Sequence, residues 1–325
     1  MRELVVASYG VRVRVKRGLL LVEGGGERLE ISPSDLDAVI VASGGVSVTS
    51  SAVRLLIAHG VDLVFLDSRG RPIGRLYPPF VNRTVLTRRM QYKAYMTDRR
   101  WSVVGAIVEA KLRNQANLLK YYYRCRGDAE LRECAYGVAS ALEELPEALG
   151  DPKSVMAVEA KAARAYWSGV ARLIPGELGF DGRDPESLDP VNACLNYCYA
   201  LLYSQCWKAL VLAGLDPYAG FLHADRSGKE SLVFDYSEMF KPPAVDRMLV
   251  KLFNSGWRPE LERGLLARES RGVLVKSFLE WLDRRVRPTS GGPCTLRQAL
   301  KRWAFRLASY LRGGERHYRG FVEPW

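Results

Sequence analysis

Short runs of hydrophobic positions mark the first 80 or so residues as strands, with a clean period of two in VRVRV at 11–15. Leu4–Ser8 and Val11–Val15 (VRVRV) read as short strands. Leu19–Val22 and Leu29–Ile31 flank GGGER, a glycine-rich hairpin signal. Ala38–Val41 and Val46–Val48 are further apolar, β-rich runs. A short helix follows: Thr49 or Ser50 can cap it, Val53, Leu56 and Ile57 form its apolar face, and His59-Gly60 ends it. Val61–Leu66 is one more strand, closed by the turn DSRGRP, and the segment ends at Pro78-Pro79.

From Thr84 the spacing of apolar residues becomes helical. The stretch from Thr84 to about Tyr123 holds no Pro and one Gly and reads as long helical patterns, and 126–153, broken by Gly and Pro, as a short helix with loops. Ser154–Ala171 is helical, with Ser154 as a candidate cap and Val158, Ala162 and Tyr166 at i, i+4, i+8. Gly176–Asp189 is a loop. Asp189-Pro190 opens a helix, cap then proline, that runs to Ala213. Further helices are predicted at about 230–241, 243–255, 262–286 and 295–312, with an irregular tail after Gly313. The predicted class is α+β with two domains: a small β-rich N-terminal domain, 1–83, and a larger all-α domain, 84–325.

Charge adds a direction to this picture. The 325 residues carry a net charge of +12, and Arg outnumbers Lys by 36 to 12. Residues 239–325 alone hold 18 basic and 8 acidic side chains, with Trp281, Trp303, Phe305, Tyr310, Tyr318 and Trp325 among them. Basic residues interleaved with aromatics fit a nucleic-acid surface, and a solvated helical face over an aromatic core fits equally well. No run of 18 apolar residues exists, which excludes a membrane-spanning helix. The N-terminus lacks the basic-then-apolar layout of a signal peptide, so the expected compartment is the cytoplasm. The six cysteines include no CxxC pair. Cys194, Cys198 and Cys206 lie in an apolar helix and read as buried hydrophobes.

Candidate chemistry is confined to few residues. Of three histidines, His59 sits at a helix end and reads as structural, and His317 lies in a polar tail. His223 lies between the apolar lead-in GFL and the polar turn ADRSG, shortly before SLVFDYSEMFKP. Asp235 and Glu238 are i, i+3 and share one helix face, set among Val233, Phe234, Met239 and Phe240. Two half-buried carboxylates repel unless a cation joins them; an amphipathic helix with a solvated acidic edge is the simpler account. Glu159 lies in a run of small residues, with Ala163 at i+4 and Val155 at i−4, so it has no local ion-pair partner. A lone acid on a small-residue face can approach another helix closely. One imidazole with two or three carboxylates is an oxygen-rich set that suits Mg²⁺ or Mn²⁺ over structural zinc.

These motifs, in this order, resemble the CRISPR-associated protein one family of adaptation integrases. The resemblance rests on SPSDLDAVIVASGGVSVTSSAVRLLIAHGVDLVFLD, RRMQY at 88–92, VEAKAARAYW, DPVNACLNYCYALL and GFLHADRSGKESLVFDYSEMFKPPAVDR, and covers roughly residues 1–310. It implies a metal-dependent DNA endonuclease and integrase. By motif position, Glu159, His223 and Glu238 are implied as metal ligands, and Asp235 as the adjacent acid that supports the site. Lys241 resembles a basic position that contacts DNA phosphates. Tyr166 and Arg247 fall in matching motifs as DNA-contact candidates; Asn192 and Asn196 also match, without an assigned catalytic part. The resemblance further implies a homodimer formed through the β domain, a small ferredoxin-like adaptation partner, and insertion of short double-stranded DNA into a CRISPR repeat. Three alternatives stay open: a DNA-binding protein without catalysis, an integrase of a self-mobilising element, and a helical metal-dependent hydrolase of small molecules.

Overall fold

The computed structural model describes residues 2–67, 70, 72–76, 84–223 and 227–325. Half of the turn DSRGRP, the pair Pro78-Pro79 and residues 224–226 after His223 therefore lie outside the described residues, as does the stretch before the expected break at 83.

The N-terminal strands are β1 (Arg2–Val6), β2 (Arg12–Lys16), β3 (Leu19–Gly24), β4 (Glu27–Ile31), β5 (Leu36–Val41) and β6 (Ser47–Val48); helix α1 (Ser50–Ala58) and strands β7 (Asp62–Leu66) and β8 (Pro72–Leu76) follow. They form two four-stranded sheets, in the orders β1-β5-β7-β8 and β4-β3-β2-β6. β1, β5 and β7 run parallel, while β2, β3 and β4 form an antiparallel meander. The meander turns at Arg17-Gly18 and Gly25-Gly26, and all four residues have positive φ, as two-residue hairpin loops require. Alternation does the rest: Val13 and Leu20 are fully buried, while Arg14 turns outward to pair with Glu23 at 2.8 Å. Thr49 caps α1 by accepting from Ala52 N, and His59 ends it with its Nδ1 on Leu55 O at 3.0 Å, a structural histidine as its position suggested. Val39, Ala52, Leu56, Val61 and Leu63 join Val13 and Leu20 in a core of their own. Strand β8 escaped the sequence reading because Pro72 and Gly74 interrupt its pattern.

The remainder is built on helices: α2 (Thr84–Tyr95), α3 (Arg99–Arg126), α4 (Ala129–Ala148), α5 (Pro152–Ala171), α6 (Pro190–Leu212), α7 (Ser231–Glu238) and α8 (Arg247–Asn254). Then come strands β9 (Leu261–Glu262) and β10 (Leu265–Leu266), α9 (Arg268–Leu282), β11 (Arg285–Val286), β12 (Cys294–Thr295) and α10 (Leu296–Leu311). The helical pattern from Thr84 resolves into two helices, because Met96 and Thr97 close their amides onto carbonyls three residues back. Three sequence expectations change here. Residues 129–148 are one full helix. Gly137 packs against Ala165 of α5, where an added Cβ would stand 3.0 Å away, and Pro146 falls in the last turn. So the Gly and Pro that read as punctuation are packing and terminal positions. The cap of α5 is Asp151, whose carboxylate accepts from Ser154 N at 2.9 Å; Ser154 receives the cap and does not supply it. Finally, the expected helix over 262–286 is shortened. The turn Arg263-Gly264, both at positive φ, makes the β9–β10 ladder, and β11 pairs with β12, so the helical part is not purely α.

The tail is irregular after α10, as expected, but it is not peripheral. Phe321 is fully buried, stacked on Phe240 at 4.8 Å and edge-on to Trp303 at 5.1 Å. Buried Glu323 accepts two hydrogen bonds from Arg284. Cys194, Cys198 and Cys206 are buried on α6 as free thiols. No helix among the described residues is long and apolar enough to cross a membrane. Ile40, Val64 and Leu66 carry the sheet into the helical core, and Arg297 of α10 meets Glu3 of β1 at 2.7 Å.

Candidate active site

Three helices bring charge to one buried spot. Glu159 comes from the middle of α5, Glu238 from the end of α7 and Lys111 from α3. The Lys111 ammonium lies 2.8 Å from Glu159 Oε1 and 2.7 Å from Glu238 Oε2. Lys241 pairs with the other Glu238 oxygen. The approach foreseen for Glu159 is therefore real, and its partner sits 48 residues away in the chain. Sequence reading missed Lys111, although a signal was present. On α3 it shares the stripe of Val104, Ile107, Val108 and Leu118, all buried, where an ammonium is tolerated only with compensation.

The four side chains sum to zero charge. Burial opposes the charged form of Lys111, Glu238 and Lys241. For Lys111 the attraction of Glu238 and Glu159 outweighs burial and drives the ammonium's pKa well above its ordinary value. For Glu238 burial is likewise overcome by Lys111 and Lys241, which hold the carboxyl well below the usual range; Lys241 is raised in turn by Glu238.

His223 is positioned by a third carboxylate. Asp235, only 2% exposed, accepts from the backbone N–H of Phe221 (2.6 Å), Leu222 (3.0 Å) and His223 (3.1 Å), and its Oδ1 also meets His223 Nδ1. Gly220 makes this closure possible. A Cβ there would stand 2.7 Å from Ser231 Cβ and 2.9 Å from Asp235 Oδ2. The loop is held from behind by Gln91, which donates to Asp216 O and Ala219 O, and by Arg100, which donates to Phe221 O. The His223 ring lies 6.1 Å from Phe234, Phe234 packs edge-on to Tyr203 at 5.0 Å, and the Lys241 ammonium sits 5.5 Å from the Tyr203 ring. Rings thus link the His223–Asp235 pair to the carboxylate pair.

A fourth carboxylate lies within the field of Lys241. Asp246 is buried and accepts from Tyr166 and Tyr199 hydroxyls, each at 2.6 Å; burial pushes its pKa up to about 6. It follows Pro242-Pro243. Neither proline has an N–H to continue the helical ladder, so the chain widens into one π turn over Pro242–Asp246 between α7 and α8. Arg183 lies over the Tyr199 ring at 5.5 Å, held by Asn192 Oδ1 at 2.8 Å and Asn196 Oδ1 at 2.5 Å. Among the described residues no carboxylate pairs with it, so neutral amides fix the guanidinium without cancelling its charge.

The expected site residues are thus distributed as follows. Glu159 and Glu238 meet through Lys111, His223 and Asp235 meet directly, and Lys241 sits on Glu238. Arg247 lies between the rings of Tyr121 and Trp325, at 4.4 and 4.8 Å. The DNA contact expected of Tyr166 is corrected: its side chain is fully buried and its hydroxyl is committed to Asp246. His317 is exposed. Among the described residues no three His, Cys, Asp or Glu side chains are already gathered as a metal shell. The donor set itself fits a hard divalent ion: two carboxylates converge on one cation, and the imidazole uses Nδ1 on a carboxylate, which leaves Nε2 for a ligand.

Comparison with known proteins bears on this arrangement. The family model for "CRISPR associated protein Cas1" matches residues 4–280. The CRISPR-associated endonuclease Cas1 2 of Saccharolobus solfataricus is 39% identical over 322 residues, covering 99% of this chain and 98% of the relative. Among solved structures, a casposase bound to integration product superposes with a TM-score of 0.87 at 24% identity, over 98% of this chain and 93% of that one. A chain of a Cas6-RT-Cas1–Cas2 complex gives 0.76 at 20% identity, over 100% of this chain and 36% of that one. With its two carboxylate helices and histidine loop inside the span matched end to end by such relatives, the chain belongs to the CRISPR-associated Cas1 endonuclease family.

Proposed function

We propose that the chain is a divalent-metal-dependent DNA endonuclease and integrase that joins the 3′ hydroxyl of a short duplex to a CRISPR repeat phosphodiester by direct transesterification. The observation that carries this reading is the convergence of Glu159 and Glu238, from separate helices, on a single cation, with an imidazole oriented by Asp235 linked to that pair through the rings of Phe234 and Tyr203. Glu159, Glu238 and His223 Nε2 would hold Mg²⁺ or Mn²⁺. The ion would supply charge neutralisation at the phosphate and a more acidic attacking hydroxyl.

The chain's own residues do the rest. Asp235 keeps His223 in one tautomer and orientation. Lys241 offers positive charge beside the reacting phosphate, and Arg183 and Arg247 extend it along the backbone. The fold likeness to a casposase bound to integration product is in keeping with strand transfer. The likeness to a chain of a Cas6-RT-Cas1–Cas2 complex is in keeping with a Cas partner protein, which in this reading is small and ferredoxin-like. Residues 1–83 act in this reading as the homodimerisation domain, and 84–325 as the catalytic, DNA-binding domain.

Strand transfer tests the proposal. A labelled duplex with free 3′ hydroxyls is incubated with a supercoiled repeat-bearing plasmid and Mn²⁺. Joined product is expected from the wild type, and none from His223→Ala or with EDTA. DNA binding without joined or cleaved product, with the partner protein also present, would reduce the chain to a DNA-binding scaffold.

A further inference from the structure

We propose that Lys111 is an internal cation that holds the Glu159–Glu238 pair when no divalent ion is present and competes with that ion for it. The inference deepens the metal-dependent reading and rests on it. Its ground is geometric: one ammonium, 16% exposed, bridges two carboxylates from different helices at 2.8 and 2.7 Å. Among the described residues Lys111 is the only ion-pair partner of Glu159, whereas Glu238 keeps Lys241 on its other oxygen. Lys111 is thus the element that spans the pair. It is also anchored for the task. Three residues on, Asn114 donates to Met239 O and Phe321 O, both at 2.8 Å, and accepts from Glu323 N, which locks α3 against the end of α7 and the tail. A divalent ion entering between the carboxylates meets a fixed positive charge at contact distance and has to displace it. The function of Lys111 is to set how much free ion is needed before the site loads.

Mn²⁺ binding without DNA tests this, read from the electron paramagnetic resonance of free Mn²⁺ and from thermal unfolding of the full-length chain. Lys111→Gln is expected to bind Mn²⁺ about tenfold more tightly than wild type. It is also expected to unfold at lower temperature in EDTA and to gain more from added Mn²⁺. Adding Glu159→Gln to the variant should abolish the gain. If Lys111→Gln folds only when Mn²⁺ is present, the ion has replaced the ammonium, which supports the inference. Failure to fold even with Mn²⁺, or an affinity equal to or weaker than wild type, overturns it. Wild type that takes up no Mn²⁺ overturns the metal-dependent reading as well, whereas wild type that binds while the variant is unchanged overturns the role of Lys111 alone.

Discussion

Asp235 takes both the backbone N–H and the ring Nδ1 of His223, so one carboxylate fixes the loop and the imidazole together. Four donors converge on it, counting Phe221 N and Leu222 N. Asparagine offers one acceptor oxygen and turns an NH₂ toward donors. Asp235→Asn is therefore expected to reduce strand transfer about 10- to 100-fold, the range typical of groups that orient a ligand. Far-ultraviolet circular dichroism should show an unchanged helix content. Activity equal to wild type would remove Asp235 from the site's support.

The charge quartet predicts an unequal response of its two acids. Glu238→Gln leaves Lys241 without a carboxylate and Lys111 with only Glu159, whereas Glu159→Gln leaves both lysines on Glu238. Breaking a buried pair from one side costs about 3–5 kcal/mol. Urea denaturation should show a loss of that order for Glu238→Gln and a clearly smaller one for Glu159→Gln. Equal losses would mean that the lysines are solvated and not paired.

Asp246 gives the pH dependence. Tyr166 and Tyr199 donate to it, Lys241 and Arg183 lie near enough to favour its charge, and Cys198 feels its field. Burial dominates and lifts the carboxyl from 3.8 to about 6. A raised pKa means that the folded state favours the protonated form. That contribution is complete below pH 3.8 and is lost as pH rises through 6, in total on the order of 3 kcal/mol. Asp246→Asn, which stays neutral, should gain on wild type as pH rises from about 4 to above 6. Denaturation midpoints of the two proteins that run parallel across this window would count against the assignment.

Arg183 makes a prediction about DNA. Held by Asn192 and Asn196, and directly paired with no carboxylate among the described residues, it is suited to a backbone phosphate. Arg183→Gln should reduce the slope of log K against log salt by about 0.9, the share of a single phosphate contact on duplex DNA. Arg183→Lys should recover the slope even where it loses stability from the broken fork. A slope unchanged in Arg183→Gln would leave Arg183 a purely structural clamp.

Much of the fold could be read along the chain, because local signals carried it. VRVRV, the glycine turns and Asp189-Pro190 each act within a few residues, and each lies where expected. Misreadings arose where a residue's meaning came from a distant partner. Gly137 and Pro146 looked like breaks until α5 supplied the surface that tolerates them. Glu159 was legible as an anomaly, since it lacked a local partner; Glu238 was less so, because Lys241 three residues on pairs with it. Lys111 was not, because one lysine on a long helix is ordinary until its stripe is seen to be buried. Tyr166 shows the converse error: a motif position drew attention to a ring whose hydroxyl serves Asp246 from inside the core.

The balance among Glu159, Lys111, Glu238 and Lys241 separates two events that many metalloproteins merge. Acids neutralised from within let the chain reach its folded state without waiting for an ion. On the metal-dependent reading proposed above, loading would then be late and reversible, governed by supply at the moment DNA arrives. In a cell whose free divalent ion rises and falls, the number of folded molecules would hold steady while the active fraction followed the ion.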